Sequence, residues 1–182
     1  MKSKILKTAI CILLMVLILL CGTTFALMFR QTQPLNNQLE AAYVACTVEE
    51  DFDGEVKTRI VVKNTGNIDA YLRLRLVSYW IDSSEKIVSK PSEMPTVTVA
   101  DGWVVGSDNT YYYSIPVAPG AQTPNLLEKG TSITLVEDEE GGYLQVVEVF
   151  ADAIQSKPAQ AVTGSWGVIL AGETDFTITH AP

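Results

Sequence analysis

The strongest constraint on this chain is a long uncharged segment near its N-terminus. Residues 8–29 contain no charged side chain, and residues 10–20 read ICILLMVLILL. Three lysines precede the segment and Arg30 closes it. Basic residues followed by an apolar run are the layout of a secretory signal. The lysine bias predicts that the N-terminus stays in the cytoplasm while the rest of the chain crosses the membrane.

Two fates of this segment are compatible with the sequence. Small residues on both sides of Phe25 predict cleavage by a signal peptidase between Ala26 and Leu27. Alternatively, residues 8–29 are long enough to span about 30 Å of hydrocarbon as a retained helix. We therefore expect residues 1–26 to be a signal peptide or a signal-anchor. The protein is then either secreted or a single-pass membrane protein with its C-terminal domain outside.

Charge limits the partners of the exported part. The chain has 21 acidic and 13 basic residues, and removing residues 1–26 removes three lysines and no acid. The remainder has a formal charge of about −11. Because such a surface repels phosphate backbones, we expect no nucleic-acid partner. Divalent cations or cationic cell-wall polymers are more natural contacts.

Cysteine usage excludes a disulfide-stapled mini-domain. Cys11 and Cys21 lie in the apolar segment, so Cys46 is the one thiol of the exported part. A single thiol cannot form an internal disulfide, and a chain of this length buries an adequate core without one. We interpret Cys46 as a buried, unreactive thiol, with pairing to a second subunit as the alternative.

The exported part divides into a linker and one domain. Residues 27–42 (LMFRQTQPLNNQLEAA) are mostly polar and predict a linker. In residues 43–182, β-branched and aromatic runs alternate with turn residues at intervals of about 8–12 residues, which favours an all-β sandwich or barrel. No amphipathic helix longer than about ten residues is evident there.

The clearest strand covers residues 70–81. From Leu72 to Val77, leucines alternate with arginine or valine, and this period of two places the leucines in the core and the arginines in solvent. Further strands are predicted at residues 56–63, 87–88, 96–100, 103–105, 111–117, 131–136, 143–153 and 166–170, with turns at 64–67, 82–86, 106–109 and 137–142 and a loop at 156–163.

The chain offers little for catalysis. His180 is its only histidine and is third from the end. Zinc hydrolases need two or three imidazoles, and a serine or cysteine nucleophile would have to recruit a base from a terminus that frays. We expect His180 to lie in a disordered tail and the protein not to be an enzyme. Carboxylates acting alone, as in glycosidases, are the remaining catalytic alternative.

One acidic segment resembles the start of a calcium loop. Residues 51–54 read DFDG, but Val62 stands where the loop needs its bidentate glutamate, so the motif fails. Asp51, Asp53 and Glu55 remain candidates for weak surface binding of calcium. No cofactor is predicted.

Several motifs together resemble the TasA/camelysin group, exported proteins of Gram-positive bacteria released by a dedicated signal peptidase, SipW. The matching segments are the N-terminal signal and residues 48–54 (VEEDFDG), 61–73 (VVKNTGNIDAYLR), 111–113 (YYY), 119–123 (PGAQT), 149–155 (VFADAIQ) and 166–167 (WG). The resemblance implies a jelly-roll or immunoglobulin-like β-sandwich and a role in extracellular matrix or biofilm fibres. It also implies polymerisation, in which the segment after the cleavage site completes the sheet of a neighbouring subunit.

The chain departs from that group in two ways. Residues 27–30 (LMFR) replace the usual small-aromatic-acidic start after cleavage. Camelysin is described as a metalloprotease, and one histidine cannot supply its ligands, so that activity is not carried over.

Two main hypotheses follow. The first is a structural matrix subunit assembled by β-strand addition, either with itself or with other matrix proteins. Residues 35–48 (LNNQLEAAYVACTV) would be the donor, with Leu39, Tyr43 and Val44 as anchors. The second is a membrane-tethered surface module that binds a ligand or a partner protein.

Overall fold

The computed structural model describes residues 2–31, 40–107, 109–138, 140–172 and 177–182. The chain separates into two compact units, Met1–Glu40 and Ala41–Pro182. The protein is mostly β-sheet, and its longest helix lies at the N-terminus. The prediction of a mainly β protein behind an N-terminal apolar helix is therefore confirmed.

The first unit contains one long helix, α1 (Lys2–Gln31). Its segment Ser3–Gly22 is long and apolar enough to cross a membrane, and none of it is buried within the protein. Leu13 and Ile18 are each 70% exposed. A secretory signal and a membrane anchor both have this character, so the helix fits either fate. The predicted cleavage position, between Ala26 and Leu27, lies within α1.

The second unit contains three antiparallel sheets and one short helix. The elements are β1 (Cys46–Phe52), β2 (Val56–Asn64), β3 (Ala70–Ile81), β4 (Ile87–Val88), β5 (Trp103–Val105), β6 (Thr110–Tyr113), β7 (Ile133–Thr134), β8 (Glu137–Asp138), β9 (Tyr143–Gln155), α2 (Ala159–Trp166), β10 (Ile169–Ala171) and β11 (Thr177–His180). One sheet has the order β1-β2-β7, and another β5-β6-β3-β9-β8 with β4 beside β3; β10 and β11 form the third.

The longest strand pairing in the largest sheet joins β3 and β9. Its register is continuous from Ala70 opposite Gln155 to Ile81 opposite Leu144. Leu72, Leu74 and Leu76 are buried, as their period of two predicts. Each fully buried leucine contributes up to about 3 kcal/mol of hydrophobic stabilisation.

The main core draws on both of the larger sheets. Ile60 and Val62 of β2 are fully buried together with Leu72 and Leu74 of β3, and Val147 of β9 joins them. The two sheets therefore share one apolar interior.

A second, smaller core lies on the opposite face of the largest sheet. Val162 and Trp166 of α2 are one helical turn apart, so they share a face and pack with Tyr71, Tyr112 and Ile178. Trp166 meets Tyr112 edge-on, with ring centroids 5.7 Å apart, and the Arg73 guanidinium lies 4.7 Å from the Trp166 ring.

Several predicted elements need correction. The loop predicted at 156–163 is wrong in its second half, where α2 begins at Ala159; eight residues are too short for a helical period to stand out. The strand predicted at 96–100 is only an isolated bridge between Val99 and Leu127. The strand predicted at 111–117 ends at Tyr113, before Pro116, since proline has no N–H for a ladder.

The structure also differs from the predictions at the first and last strands of the domain. Strand β1 was missed because its acids interrupt the apolar pattern. The prediction of a disordered tail at His180 was wrong, because His180 lies in β11 opposite Ile169 of β10. Ile178 of β11 is buried in the smaller core, and this burial holds the C-terminal strand in place.

Candidate functional site: an open flank and the lead-in segment

The longest strand, β9, has one unpaired edge. One side pairs with β3 along its whole length, whereas β8 covers the other side only at Tyr143 and Leu144. The Gln145 N–H then donates to the Val136 carbonyl at 3.0 Å. From residue 146 to residue 155, no strand among the described residues pairs with this outer edge.

The direction of the unpaired backbone groups follows from Gln145. The Gln145 N–H points away from β3. Because the direction of the backbone N–H and carbonyl groups alternates along an antiparallel strand, these groups point outward at every second residue after Gln145. The N–H and carbonyl groups of Val147, Val149, Ala151 and Ala153 therefore face outward. The residues between them bond to β3.

Strand β1 has a second open edge on the same flank. It is the terminal strand of its sheet, and in the described part of the chain only β2 pairs with it. Residues of β1 and β9 come within 8 Å of each other, Cα to Cα. Cys46 of β1 and Ala151 and Ala153 of β9 all pack against the main core. We name the two unpaired edges together the open flank.

Charged side chains border the open flank. Glu49 and Asp51 of β1 pair with Arg59 at 3.3 and 3.8 Å, and Asp152 of β9 pairs with Arg73 at 2.9 Å. Charges on an edge strand hinder indiscriminate pairing. A strand that adds here must avoid placing carboxylates opposite these acids.

Residues 41–45, which we call the lead-in segment, are bound to the turn that follows β2. The Thr65 and Gly66 N–H groups donate to the Ala45 carbonyl at 2.9 and 3.2 Å, and the Asn67 N–H donates to the Tyr43 carbonyl at 3.2 Å. The Asn67 side chain accepts from the Tyr43 N–H at 2.8 Å and donates to the Ala41 carbonyl at 3.0 Å. The turn thus fixes where the domain begins.

Two residues make this turn fit the lead-in segment. Asn64 is fully buried; its amide donates to the Ile68 and Val117 carbonyls at 2.8 Å each and accepts from the Gly66 N–H at 2.9 Å. A Cβ at Gly66 would lie 2.6 Å from the Tyr43 carbonyl oxygen, so only glycine allows this close approach. The sequence identified the turn but did not indicate what binds to it.

The predicted assembly residues fall in or next to the lead-in segment. Tyr43 is 50% exposed and Val44 is 38% exposed, while the Tyr43 backbone is held by the turn and its hydroxyl donates to the Thr65 carbonyl at 3.5 Å. Leu39 lies outside the described residues. Cys46 to Val48, the end of the predicted donor, belong to β1 of the same domain.

The candidate calcium ligands do not form a site. Asp53 accepts the Glu55 and Val56 N–H groups at 3.0 and 2.7 Å, and these bonds lower the pKa of its carboxyl. Asp51 faces Arg59. Within the described ranges, no three His, Cys, Asp or Glu side chains are placed to hold a metal ion.

Cys46 is half-buried rather than fully buried. Burial, and secondarily the negative charge of Asp152, raise the pKa of its thiol. The thiol is therefore mainly protonated at neutral pH and a poor nucleophile.

Comparison with known proteins adds no relative: no protein-family model, curated protein or solved structure matches this chain.

Proposed function

We propose that this protein is an exported structural subunit of the cell surface or extracellular matrix, assembled by β-strand addition. The observation that supports this proposal best is the open flank, where no strand in the described part of the chain pairs with the outer edge of β9 or with the neighbouring edge of β1. An unpaired edge is a template for a strand from another chain. No catalytic role is proposed.

We propose a β-sandwich of the jelly-roll or immunoglobulin-like kind and membership of the TasA/camelysin-like group. The shared core of the two larger sheets supports the sandwich. The motif resemblance supports the group, and with it a place in biofilm matrix.

In this proposal the donor comes from the residues that precede β1. The lead-in segment stays on its own domain through its backbone, while Leu39, Tyr43 and Val44 contact the neighbouring subunit. Outward groups of β9 then bond to the added strand, and each new hydrogen bond contributes about 0.5–1.5 kcal/mol. The partner is a second copy or another matrix protein.

The experiment that tests strand addition is the substitution Ala151→Pro. The Ala151 N–H points away from β3, so proline removes a donor from the open edge without removing a ladder bond of the monomer. We expect residues 27–182 with A151P to remain monomeric in sedimentation, while the wild-type fragment forms fibres visible by electron microscopy.

The matched control is Ala151→Ser, which keeps the N–H and should assemble as the wild type does. Circular dichroism must show the same β signal for all three proteins. Fibres of A151P as abundant as those of the wild type would refute assembly through this edge.

The second candidate is a membrane-tethered surface module. It is favoured by α1, whose apolar side chains between residues 5 and 20 are exposed and need a lipid environment. N-terminal sequencing of the product separates the two candidates. A start at Leu27 in the medium supports release by a signal peptidase, whereas intact protein confined to membranes supports tethering.

A further inference from the structure

A cleft of about 290 Å³ opens at the end of the domain opposite to the lead-in segment. Strands β1 and β3 both run from the lead-in end toward it, and it lies where they finish. Its apolar wall is formed by Phe52 at the end of β1, Ile81 at the end of β3, and Val136 and Leu144 around β8 and β9. Phe52, Val136 and Leu144 are each about half exposed.

The rim of this cleft carries two acidic side chains without a basic partner among the described residues. Glu55 and Glu137 line it, both are exposed, and neither has an ion pair with any described residue. The neighbouring turns add further carboxylates, namely Asp53, Asp82, Glu85 and Glu140. The site is therefore apolar at its base and negatively charged at its edge.

Two basic groups around the cleft, Lys57 and Lys90, are already paired with other acids. Lys57, the lysine in its wall, is 7% exposed, pairs with Glu50 and lies 4.6 Å from the centroid of the Phe52 ring. Lys90 pairs with Asp138 and lies over the rings of Trp80 and Tyr143. Neither lysine neutralises Glu55 or Glu137.

We propose that this cleft binds a basic peptide segment of another protein, which inserts one large apolar side chain between flanking lysines or arginines. The volume is at the lower end for ligand pockets, so it suits a single side chain rather than a longer apolar run. Charge complementarity selects the flanking residues and accelerates the encounter. At this acidic rim a second copy of this chain is disfavoured, because the exported part, with 21 acids and 10 bases, carries few groups of the complementary charge.

This inference does not depend on strand addition. The cleft side chains named above differ from the residues of the open β9 edge after Val147. The probe is a fluorescein-labelled peptide KKWKK, with EEWEE and KKSKK as comparison peptides. Fluorescence anisotropy is measured on the full chain in phosphatidylcholine nanodiscs, at about 50 and 300 mM salt. We expect saturable binding of KKWKK alone, weakened at the higher salt concentration.

Variants then locate the site. Glu55→Gln and Glu137→Gln should each weaken binding about two- to fivefold, the range of exposed charge pairs. Val136→Ser should weaken it further, because the apolar wall loses a side chain that is half exposed and so not needed for folding. Glu128→Gln and Ile115→Ser are matched controls, an exposed acid and an exposed apolar residue that do not line the cleft, and should change affinity less than twofold.

Three outcomes would overturn the proposal. The first is binding of KKSKK as tight as that of KKWKK, which would mean general attraction to an acidic surface. The second is loss of binding in the control variants as large as in the cleft variants. The third is tighter binding of the peptide LMFRQTQ, residues 27–33 with a free N-terminus, than of KKWKK. That result would mean that the cleft binds a second copy of this chain.

Discussion

At the scale of single residues, a few polar side chains decide where the backbone turns. Asn64 is buried, and its side chain donates to two carbonyls and accepts from one N–H. Asp53 performs a similar task on the surface, where its carboxylate accepts two N–H groups of the turn between β1 and β2. Both residues therefore hold turns in place.

We predict that Asn64→Ala lowers the free energy of unfolding by about 3 kcal/mol, because it removes the Asn64 donor from the Ile68 and Val117 carbonyls and the acceptor from the Gly66 N–H. The matched variant Asn67→Ala removes bonds to the lead-in segment only, at a partly exposed position, and should cost about 1 kcal/mol. Urea unfolding followed by tryptophan fluorescence measures both. Equal losses for the two variants would contradict the role assigned to Asn64.

The pKa of Asp53 gives a prediction about pH. Since the folded state holds its carboxyl below the usual 3.8, the turn contributes stability above the pKa of the unfolded chain. That contribution is lost as the pH falls through the lower, folded-state value. A carbon-detected NMR titration should place the Asp53 midpoint below 3.8; a midpoint at or above 3.8 would show that the two N–H bonds do not form.

At the scale of elements, strands with a buried face were predictable and strands held by their context were not. β3 follows from its alternating leucines alone. β1 carries three consecutive acids at 49–51, and it forms a strand because Arg59 and Lys57 of β2 pair with them across the ladder. Likewise, α2 and β11 exist through packing on the largest sheet, which a single sequence window does not reveal.

The packing of α2 leads to a prediction for Trp166. The ring is 7% exposed, meets Tyr112 edge-on and lies beneath the Arg73 guanidinium. Trp166→Ala should cost about 3–5 kcal/mol, whereas Trp166→Phe keeps an aromatic ring and should cost less than half of that. Thermal unfolding by calorimetry tests this, and an Ala variant as stable as wild type would mean that α2 does not depend on this contact.

The candidate site was likewise predictable from the sequence only in part. The sequence placed Tyr43 and Val44 near the start of the domain and both are exposed, yet their attachment to the 64–67 turn depends on contacts between distant residues. The open edge of β9 is a property of sheet order, and no local pattern encodes which side of a strand stays unpaired.

At the scale of the whole molecule, the β-rich domain presents three surfaces. The lead-in segment marks one end, the acidic cleft marks the other, and the open flank runs between them along β9. Strand addition would use the flank, while a basic partner would use the cleft. The cleft and the flank meet at Phe52 and Val147, whereas the outward groups of Val149, Ala151 and Ala153 do not line the cleft.

Hydrogen exchange of the β9 amides, followed by NMR and mass spectrometry, tests strand addition most directly. In the monomeric fragment 41–182, which lacks most of the donor, amides 149, 151 and 153 should exchange rapidly, while 148, 150 and 152 are protected by β3. In fibres of residues 27–182 all six should be protected. Rapid exchange of the odd-numbered amides in the fibres would show that the subunits do not associate through this edge.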